Sequence, residues 1–498
     1  MGMRIAMVQC PAWGALPPLG PAALKAYVEE RGHEMQCFDF NISFYNAHLK
    51  VKQELELTGS SYGGPDPWGA DSYGQWALDY DRVDTAHGGD ASDIGFEKGS
   101  VYNDDPLPIE EWADEVLAYN PRIVGFTLYL TTFPASLLLA REIKRRDPSV
   151  LIVFGGPNVA QDREGDHALR TGIPDIVVHG EGEETLLEIA NALEGMRDLS
   201  ELSGIGLFIN GMPVWNGPRP LIPKIDSLPF PDFGDFSWSD YPNPFLVPIM
   251  ASRGCVLACA FCYETVYWKR FRTQSPERIV AEIEHQVALH PMKELSGTDG
   301  NKFYFMFGDS LVNGHIKGLG RTCDLLIKSE VDIGWGGQAR MDKRMDKELC
   351  EKLSASGCTG LAFGLESGSQ RVLESMGKHY SIDDAEGVIR RFYDAGMSAT
   401  INVMVGFPTE TFRDFLDTVI FLTKTRKWIY AVSNVTTTQV ALGSELHLFP
   451  EKFGVTVRND GSWESPETGN EQDRQRRLRL LHRWMKLMRI PHQNIAPD

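Results

Sequence analysis

Three cysteines in one short loop constrain this chain more than any other feature of its sequence. The loop reads RGCVLACAFCYE, and Cys255, Cys259 and Cys262 follow the spacing Cys-x-x-x-Cys-x-x-Cys. Iron-sulfur clusters are normally held by four thiolates, so a loop that supplies three leaves one iron open to another ligand. The alternative is a structural zinc site with a distant fourth ligand. Zinc knuckles usually pair one Cys-x-x-Cys with a second, however, and the sequence contains no second pair.

With Phe261 and Tyr263 on either side of the last cysteine, the loop resembles the signature of the radical S-adenosylmethionine (SAM) superfamily. The resemblance implies a four-iron, four-sulfur cluster on Cys255, Cys259 and Cys262, with the amino and carboxylate groups of SAM on the fourth iron. It also implies a partial TIM-type barrel, in which the active site lies at the carboxyl ends of the strands.

Length, charge and composition narrow the class of protein. At 498 residues the chain is too long for one compact core, so two or three domains are expected. Its net charge of −19 argues against a nucleic-acid partner, because phosphate contacts need clustered Lys and Arg. No apolar run reaches the length of a membrane span, and the strand-like run from Arg4 follows no signal peptide, which predicts a cytoplasmic protein without membrane contact. The five other cysteines are expected to be buried small hydrophobes.

The first two hundred residues alternate apolar, β-branched runs with helical patterns, which predicts a parallel sheet with helices on both faces. Strands are expected to begin at Arg4, Glu34, Arg122, Val150 and Asp175. Helices are expected near residues 21–31, 109–119, 133–146 and 183–193. In such sheets, ligands bind beyond the carboxyl ends of the strands, where the strand order switches.

Glycines are frequent at these strand ends, in PPLG from Pro17, GGP from Gly155 and GEGE from Gly180. Together with the radical SAM loop, these runs resemble the cobalamin-binding domain that precedes many radical SAM domains. The resemblance implies a flavodoxin-like or Rossmann-like cobalamin-binding domain over residues 1–232. The residues implied at the cofactor are Leu19, Gly20, Thr127, Leu128, Tyr129, Gly155, Gly156, Gly180 and Glu181. The alternative is a structural domain whose glycines only make turns.

The motif Asp-x-His-x-x-Gly, through which other cobalamin domains offer a histidine to cobalt, is absent from the sequence. His167 follows Asp166 directly, and His87 lies three residues after Asp84. We therefore expect no histidine on the lower face of cobalt, with the loop at residues 128–131 beneath it.

A long stretch of about residues 60–106 is rich in Gly, Asp, Tyr and Trp and shows no clear periodicity. Its aromatic residues either line a substrate or cobalamin cover or hold an irregular insertion together; they are Trp68, Tyr73, Trp76 and Tyr80. A Pro-rich run then predicts a linker, placed at residues 233–244.

A second series of strand-helix units occupies residues 245–450. Strands are expected from Phe245, Phe303, Ile333, Gly360 and Ala399, with a last run near residues 430–442. Six such units match the partial (β/α)6 barrel of radical SAM enzymes. Residues 451–498 form a helical extension whose basic helix, at residues 474–489, has apolar residues at helical spacing and is expected to pack across the barrel.

Weaker motifs at the barrel strand ends resemble the rest of the family's SAM site. Gly308, Asp309 and Ser310 occupy the place of its Gly-Gly-Glu motif, which receives the SAM amine. Gln338 and Arg340 can face the SAM carboxylate or the substrate, since Arg offers a bidentate fork. Glu366 and Ser367 occupy positions that resemble those at which the family binds the ribose of SAM. Gly406 and Pro408 belong to a run that resembles the family's motif beside the adenine of SAM. Asp309 and Arg340 join the cysteines as catalytic candidates, although each of these residues could instead serve a turn or barrel packing.

Together the two resemblances imply a cobalamin-dependent radical SAM C-methyltransferase. A 5′-deoxyadenosyl radical would activate an unactivated carbon and methylcobalamin would supply the methyl group, while the protein aligns the cofactors. A cyclase or ring-rearranging enzyme that resembles anaerobic magnesium-protoporphyrin ester cyclase is an alternative, as is a non-catalytic corrinoid carrier. The expected partners are a small-molecule or peptide substrate and a reductant such as flavodoxin or ferredoxin.

Overall fold

The computed structural model describes residues 2–11, 16–57, 107–129, 131–159, 164–195, 198–293, 301–458 and 462–491. The chain divides into two compact units, Met1–Pro244 and Phe245–Asp498. The predicted insertion at about residues 60–106, with its aromatic residues Trp68, Tyr73, Trp76 and Tyr80, lies outside the described residues.

The first unit is built on a seven-stranded sheet. Its strands are β1 (Arg4–Gln9), β2 (Glu34–Asp39), β3 (Ile123–Thr127), β4 (Leu151–Gly155), β5 (Ile176–Val178), β6 (Ile205–Ile209) and β7 (Met212–Trp215). Their order is β2-β1-β3-β4-β5-β6-β7, with β1 to β5 parallel and the last two strands antiparallel. Because the chain runs from β1 to β2 and then back to β3 on the other side, the switch point lies between β1 and β3.

The described helices of the first unit follow its strands. They are α1 (Leu19–Glu29), α2 (Phe40–Leu57), α3 (Ile109–Ala118), α4 (Phe133–Arg146), α5 (Glu164–Arg170) and α6 (Gly182–Leu193). Their apolar faces bury a core around the sheet, in which the ring of Phe40 stacks on Trp112 at 4.8 Å and Phe126 meets Phe154 edge-on. Helices α1, α3, α4 and α6 lie where the sequence predicts helices, whereas α2 and α5 were not predicted.

The second unit contains a six-stranded parallel sheet. The strands of this unit are β8 (Leu246–Ile249), β9 (Ser252–Arg253), β10 (Arg272–Thr273), β11 (Phe303–Phe307), β12 (Ile333–Ala339), β13 (Cys358–Glu366), β14 (Ser398–Val405), β15 (Ala431–Thr437), β16 (Thr456–Val457) and β17 (Trp463–Glu464). The sheet order β15-β14-β13-β12-β11-β8 follows the sequence, and its two ends are not paired with each other. This is a partial barrel, and the predicted α/β fold class is confirmed.

Helices connect these strands and extend beyond the last one. They are α7 (Glu264–Trp268), α8 (Pro276–Leu289), α9 (Ile316–Ser329), α10 (Lys347–Ala355), α11 (Gln370–Met376), α12 (Ile382–Asp394), α13 (Phe412–Thr425), α14 (Glu445–Leu448) and α15 (Glu471–Leu487). Among the described helices, none is both long and apolar enough to span a bilayer.

Glycines on β12 shape the inner face of the barrel sheet. A Cβ at Gly336 would come within 2.2 Å of the Tyr304 hydroxyl, and one at Gly334 within 2.9 Å of the same ring. Tyr304 can therefore lie flat across β12 and accept a hydrogen bond from Thr359 Oγ1 on β13 at 3.1 Å. The ring covers the glycine-rich part of the sheet, away from the carboxyl ends of the strands.

Candidate cofactor sites

The three cysteines lie between β9 and α7, after a short antiparallel ladder that pairs Arg253 with Arg272. Burial raises the pKa of each thiol, that of Cys262 to about 11, and neighbouring thiolates raise it further by charge repulsion. The thiols of Cys255, Cys259 and Cys262 therefore lie near one another and need a positive centre to ionise, which fits the donor set of an iron-sulfur cluster. In the part of the chain that the structure describes, no group of three His, Cys, Asp or Glu side chains has the arrangement of a single-ion site.

Backbone hydrogen bonds hold the cysteine loop from two sides. The Ala260 amide donates to the Met376 carbonyl at 3.0 Å, at the end of α11. The Ala260 carbonyl accepts from the Leu446 amide at 2.8 Å, in α14. Two elements that are distant in sequence thus fix the middle of the loop.

Lys378 is a charged residue beside this loop that the sequence analysis missed. Its ammonium group is buried, donates to Glu366 Oε1 at 2.8 Å and lies 5.5 Å from the centre of the Phe261 ring. Burial lowers the pKa of Lys378, but the charges of Glu366, Cys259 and Cys262 outweigh that effect and raise it. The loop therefore has a fixed cation beside its thiols.

Glu366 and Ser367, the residues predicted at the ribose, are both engaged within the protein. Glu366 has a backbone φ of 65° at a bulge in β13, and its carboxylate pairs with Lys378. Ser367 is fully buried and its hydroxyl lies 3.3 Å from the Thr418 hydroxyl. The structure thus brings Glu366 to the cysteine loop, while the Ser367 side chain packs towards α13.

Both carboxylate oxygens of Asp309, the residue predicted to receive the SAM amine, accept hydrogen bonds within the protein, and that role stays a prediction. One carboxylate oxygen accepts a hydrogen bond from the Ala251 amide at 2.9 Å, and the other accepts one from the Ser252 hydroxyl. Burial raises the pKa of Asp309 to about 6. Since Phe303, Phe305 and Phe307 are buried in alternation along β11, Asp309 continues their outward face, on the other side from Tyr304.

The other two residues of this motif face the opposite way from Asp309. Gly308 is exposed, and Ser310 donates its hydroxyl to the carboxylate of Glu264, the first residue of α7. The end of β11 is thereby tied to the segment directly after Cys262, and the groups left open to a ligand there belong to Gly308 and the backbone.

Gln338 and Arg340 lie at the end of β12, as predicted. Gln338 is exposed, whereas one Nη of Arg340 donates to Asp342 at 2.5 Å. Burial raises the pKa of Asp342, but hydrogen bonds from Arg344 and Arg340 outweigh it and lower that pKa to about 2. The Nε of Arg340 is buried and has no hydrogen-bond partner among the described residues. An unsatisfied guanidinium donor of this kind fits an anionic group of a ligand.

The loop from Gly406 to Pro408 is held by the C-terminal extension. Gly406 has φ of 76° and its amide donates to Glu410 Oε1 at 3.0 Å. The same oxygen accepts from Arg477 of α15 at 2.8 Å, and the carbonyl of Glu410 accepts from the same guanidinium. A Cβ at Gly406 would meet the Arg474 side chain at 2.5 Å. The predicted packing of the basic helix across the barrel is confirmed, and it occurs at the predicted adenine motif.

One hydrophobic core joins the cysteine loop, the Gly406 loop and the C-terminal extension. Its buried members are Ala260, Val372, Met376, Phe407, Leu446, Phe453, Val455 and Trp463. Phe261 packs against this core from the cysteine loop. Displacement of the extension would therefore disturb both loops.

In the first unit, the carboxyl ends of β1, β3, β4 and β5 lie along one edge of the sheet, and the predicted cobalamin residues lie there or at the adjacent helix starts. Gly156 has φ of 120°, and a Cβ there would come within 2.6 Å of the Leu128 amide nitrogen. Gly180, with φ of 96°, and Gly20 have open space instead. At this edge the loops that contain Gly156 and Leu128 are in close contact, while open space lies beside Gly20 and Gly180.

The remaining predicted cobalamin residues divide between the open edge and the protein interior. Tyr129 is 40% exposed, whereas Leu128 is buried and its amide donates to the Gly155 carbonyl at 2.7 Å. Thr127 and Leu19 are half-buried. Glu181 is buried, and its carboxylate accepts a hydrogen bond from the Ile222 amide at 2.7 Å, which stabilises the local fold.

The histidine nearest to the missing motif packs inside the first unit. The His167 ring lies 5.4 Å from the Phe133 ring, and burial lowers its pKa. The absence of a histidine below cobalt stays a prediction.

Sequence comparison links each unit to a known family. The model of the radical SAM superfamily matches residues 249–422, and that of the B12 binding domain matches residues 86–190. The uncharacterized methyltransferase PH0819 of Pyrococcus horikoshii is 29% identical over 349 residues, which cover 66% of this chain and 73% of that protein.

Two further relatives have more specific names. The anaerobic magnesium-protoporphyrin IX monomethyl ester cyclase of Rubrivivax gelatinosus is 25% identical over 64% of this chain and 58% of its own length. The cobalamin-dependent radical SAM methyltransferase TokK of Streptomyces tokunonensis is 25% identical over 62% of this chain. This chain spans 46% of TokK, less than half of its length.

Solved structures share the fold. The radical SAM methyltransferase TsrM from Kitasatospora setae, with cobalamin and a [4Fe-4S] cluster bound, has a TM-score of 0.62 and 16% identity over 90% of this chain and 74% of its own. The cobalamin-dependent radical enzyme OxsB, with aqua-cobalamin and SAM bound, has a TM-score of 0.61 over 92% of this chain and 55% of its own, also at 16% identity.

Proposed function

The chain belongs to the radical SAM enzymes that carry a B12-binding domain, and on that premise we propose that it is a cobalamin-dependent methyltransferase that acts on a carbon centre. The observation that carries the proposal is the presence, in one chain, of a three-thiol loop and a glycine-lined sheet edge that matches the B12 family. Relatives named as methyltransferases, among them TokK, support the methyl-transfer step.

In the barrel unit, this chain's residues hold and orient the cofactors. Cys255, Cys259 and Cys262 would hold the cluster, and Lys378 places a positive charge beside it. Arg340 Nε and the exposed Gln338 are the polar groups available to an anionic ligand group at the end of β12. When bound, the cluster, SAM and cobalamin supply the radical chemistry and the methyl group.

In the first unit, the corrinoid would lie over the carboxyl ends of β1 and β3 to β5, at the switch point of the sheet. Gly20 and Gly180 leave space for a large flat ligand, and Gly156 holds the Leu128 loop in place. Among the described residues of that loop, Tyr129 has an exposed side chain. Backbone and shape, rather than charged side chains, would provide most of the contact.

We propose a small molecule as the methyl acceptor, with a peptide as the alternative acceptor. TsrM, which shares the fold, has been solved with a tryptophan substrate and a SAM analogue bound. At the barrel strand ends, Gly308 and Gln338 are exposed and uncharged. Beside them, Arg340 and Arg344 share the single carboxylate of Asp342, which leaves a net positive charge. This favours an acceptor that carries an anionic group.

A ring-forming reaction is the second candidate, because the Rubrivivax gelatinosus cyclase is as similar in sequence to this chain as TokK is. Product mass separates the two reactions, since methyl transfer adds one methylene unit and cyclisation does not.

The test uses anaerobically reconstituted protein, methyl-deuterated SAM and candidate acceptors. Methyl transfer predicts a labelled product, with 5′-deoxyadenosine and S-adenosylhomocysteine formed in about equal amounts. An unlabelled cyclised product with 5′-deoxyadenosine alone would establish the second candidate instead. A chain that binds corrinoid but cleaves no SAM would be a carrier, and the proposal would be wrong.

A further inference from the structure

Helix α15 has two different faces. Its buried face consists of Arg474, Arg477, Leu481 and Met485, which pack towards β14 and β15. Its opposite face carries five exposed cations in a row, which we call the basic stripe: Arg476, Arg479, Arg483, Lys486 and, just after the helix, Arg489. The spacings of three or four residues place these side chains along one line of the helix.

Among the described residues, no acidic side chain neutralises the basic stripe. From Arg474 to Pro491 inclusive, the sequence contains seven Arg or Lys residues and no Asp or Glu, in a chain whose net charge is −19. The acidic residues of the first turn are used locally, since Glu471 pairs with Arg474 and the Asp473 carboxylate accepts a hydrogen bond from the amide of Asn470, the N-cap residue. Within the described residues, no ion pair joins a cation of the stripe to an acidic group, whereas the buried Arg474 and Arg477 are both paired.

Two apolar side chains are exposed on the same helix. Leu480 is 40% exposed and Leu487 is 77% exposed. They follow Arg479 and Lys486 directly in sequence, so they flank the stripe. From Arg476 to Lys486 the stripe extends about 15 Å along the helix axis. Exposed leucines surrounded by cations are more typical of a protein-binding surface than of a helix face that only contacts water.

The stripe lies on an element that is packed against the candidate site. On the opposite face of the helix, Arg477 binds Glu410 and Arg474 covers Gly406. The hydrophobic core below includes Ala260 from the cysteine loop and Phe407 from the Gly406 loop. A partner bound to the stripe would thus sit on the protein layer that supports the cysteines.

We propose that the basic stripe is the docking surface for an acidic one-electron donor protein of the flavodoxin or ferredoxin type. The proposal rests on the proposed function, because each reductive cleavage of SAM takes up one electron and the donor loses one. An acidic donor is repelled by a surface of net charge −19, so a local unpaired basic patch is needed to guide its approach. Such steering acts mainly on the association rate and weakens with salt.

The test compares two reductants on the full-length holoenzyme. The variant R476E/R479E/R483E reverses three charges of the stripe without touching Arg474 or Arg477. We expect the rate of 5′-deoxyadenosine formation to fall about tenfold or more with reduced flavodoxin at low salt and to stay unchanged with titanium(III) citrate. The matched control K317E/K328E/K347E makes the same change in net charge at exposed positions of α9 and α10, and should retain the flavodoxin-supported rate within about twofold.

Each other outcome decides against docking at the stripe. Equal flavodoxin rates in the variant and the wild type would overturn the proposal, as would an equal loss with both reductants. Loss of binding to anionic vesicles or to nucleic acid, with the flavodoxin rate unchanged, would give the stripe a different partner and overturn it as well.

A binding measurement separates this proposal from the proposed function. Titration of oxidised flavodoxin against the wild type and both variants requires no turnover. If the wild type cleaves no SAM with titanium(III) citrate, the proposed function fails, while weaker flavodoxin binding by R476E/R479E/R483E alone still supports the docking site. Equal binding by all three proteins would contradict the docking site whatever the activity.

Discussion

The ligand-facing edges of the two units are built in different ways. In the first unit, the strand ends and the adjacent helix starts carry glycines: an added side chain would meet open space at Gly20 and Gly180 and the Leu128 backbone at Gly156. In the second unit, the corresponding ends are crossed by buried ion pairs, Glu366 with Lys378 and Glu410 with Arg477.

The difference follows from what each edge must hold. A large flat ligand is accommodated by space and backbone contacts, so the first edge depends on the shape of a few loops. Loops that carry reactive groups must keep a fixed geometry, and buried charge pairs fix it because either partner alone is costly to leave in the interior. Substitutions in the first unit should therefore affect stability and cofactor binding by adding side-chain volume. Substitutions in the second unit should affect them by leaving a buried charge unpaired or by removing a cluster ligand.

The largest effect is expected at the cysteine loop. Replacing Cys255, Cys259 or Cys262 with Ala removes one of three thiolates and should abolish the cluster, because an iron is left without its protein ligand. Iron and sulfide analysis after anaerobic reconstitution measures this loss. Cys350→Ala, at a buried cysteine outside the loop, should keep the full iron content. Four irons per chain in a triple Ala variant would show that the cluster lies elsewhere.

The next largest effect is expected at the clamp of the Gly406 loop. Arg477→Leu leaves the buried Glu410 unpaired and should destabilise the second unit by about 3–5 kcal/mol. Arg458→Leu, which breaks an exposed ion pair with Glu464, should cost about 0–1 kcal/mol. Calorimetric unfolding compares the two variants. Similar shifts in both would mean that burial of the ion pair contributes nothing to holding the loop.

A smaller effect, through bulk, is expected in the first unit. Gly156→Ala places a methyl group against the Leu128 backbone at a φ of 120° and should cost about 1–3 kcal/mol. Because Leu128 belongs to the predicted corrinoid loop, this variant should also bind hydroxocobalamin more weakly. Gly217→Ala has open space and an ordinary φ, so it should change neither quantity. An unaltered corrinoid affinity in Gly156→Ala would show that this loop is not part of the cofactor site.

The smallest effect is expected for the buried carboxyl of Asp309. Its pKa is raised from 3.8 to about 6 by burial, so the unfolded chain loses this proton at lower pH than the folded one. Asp309 therefore contributes to the free energy of unfolding at low pH, and this contribution is lost as the pH rises through the pKa of Asp309 in the folded protein. Between about pH 5 and pH 7.5 the loss should be about 1 kcal/mol.

The variant Asp309→Asn should lack that part of the pH dependence, because an amide does not ionise. Thermal unfolding at the two pH values measures the difference. An identical pH dependence in the variant and the wild type would show that Asp309 does not titrate in this range.

The sequence indicated the elements of this molecule better than the contacts between them. The cysteine spacing and the apolar strand runs are local signals, and the strands that they predict are present. The hairpin of β6 and β7 also has a local signal that was missed, since Asn210 and Gly211 form a two-residue turn between apolar runs.

Side-chain roles at the barrel strand ends were harder to predict. The outward direction of Asp309 is visible in the alternation of β11, which starts from Phe303. Lys378 and Arg477 have no such signal, because their partners lie 12 and 67 residues away and only the fold brings them together. Long-range charge pairs of this kind are the part of the site that one sequence does not reveal.

Transfer of a methyl group by way of cobalamin can be tested without knowledge of the acceptor. Corrinoid-loaded, reconstituted protein is reduced with titanium(III) citrate in the presence of methyl-deuterated SAM, and the extracted corrinoid is analysed by mass spectrometry. We expect deuterated methylcobalamin and about one S-adenosylhomocysteine per corrinoid. Formation of 5′-deoxyadenosine with no methylated corrinoid would contradict it.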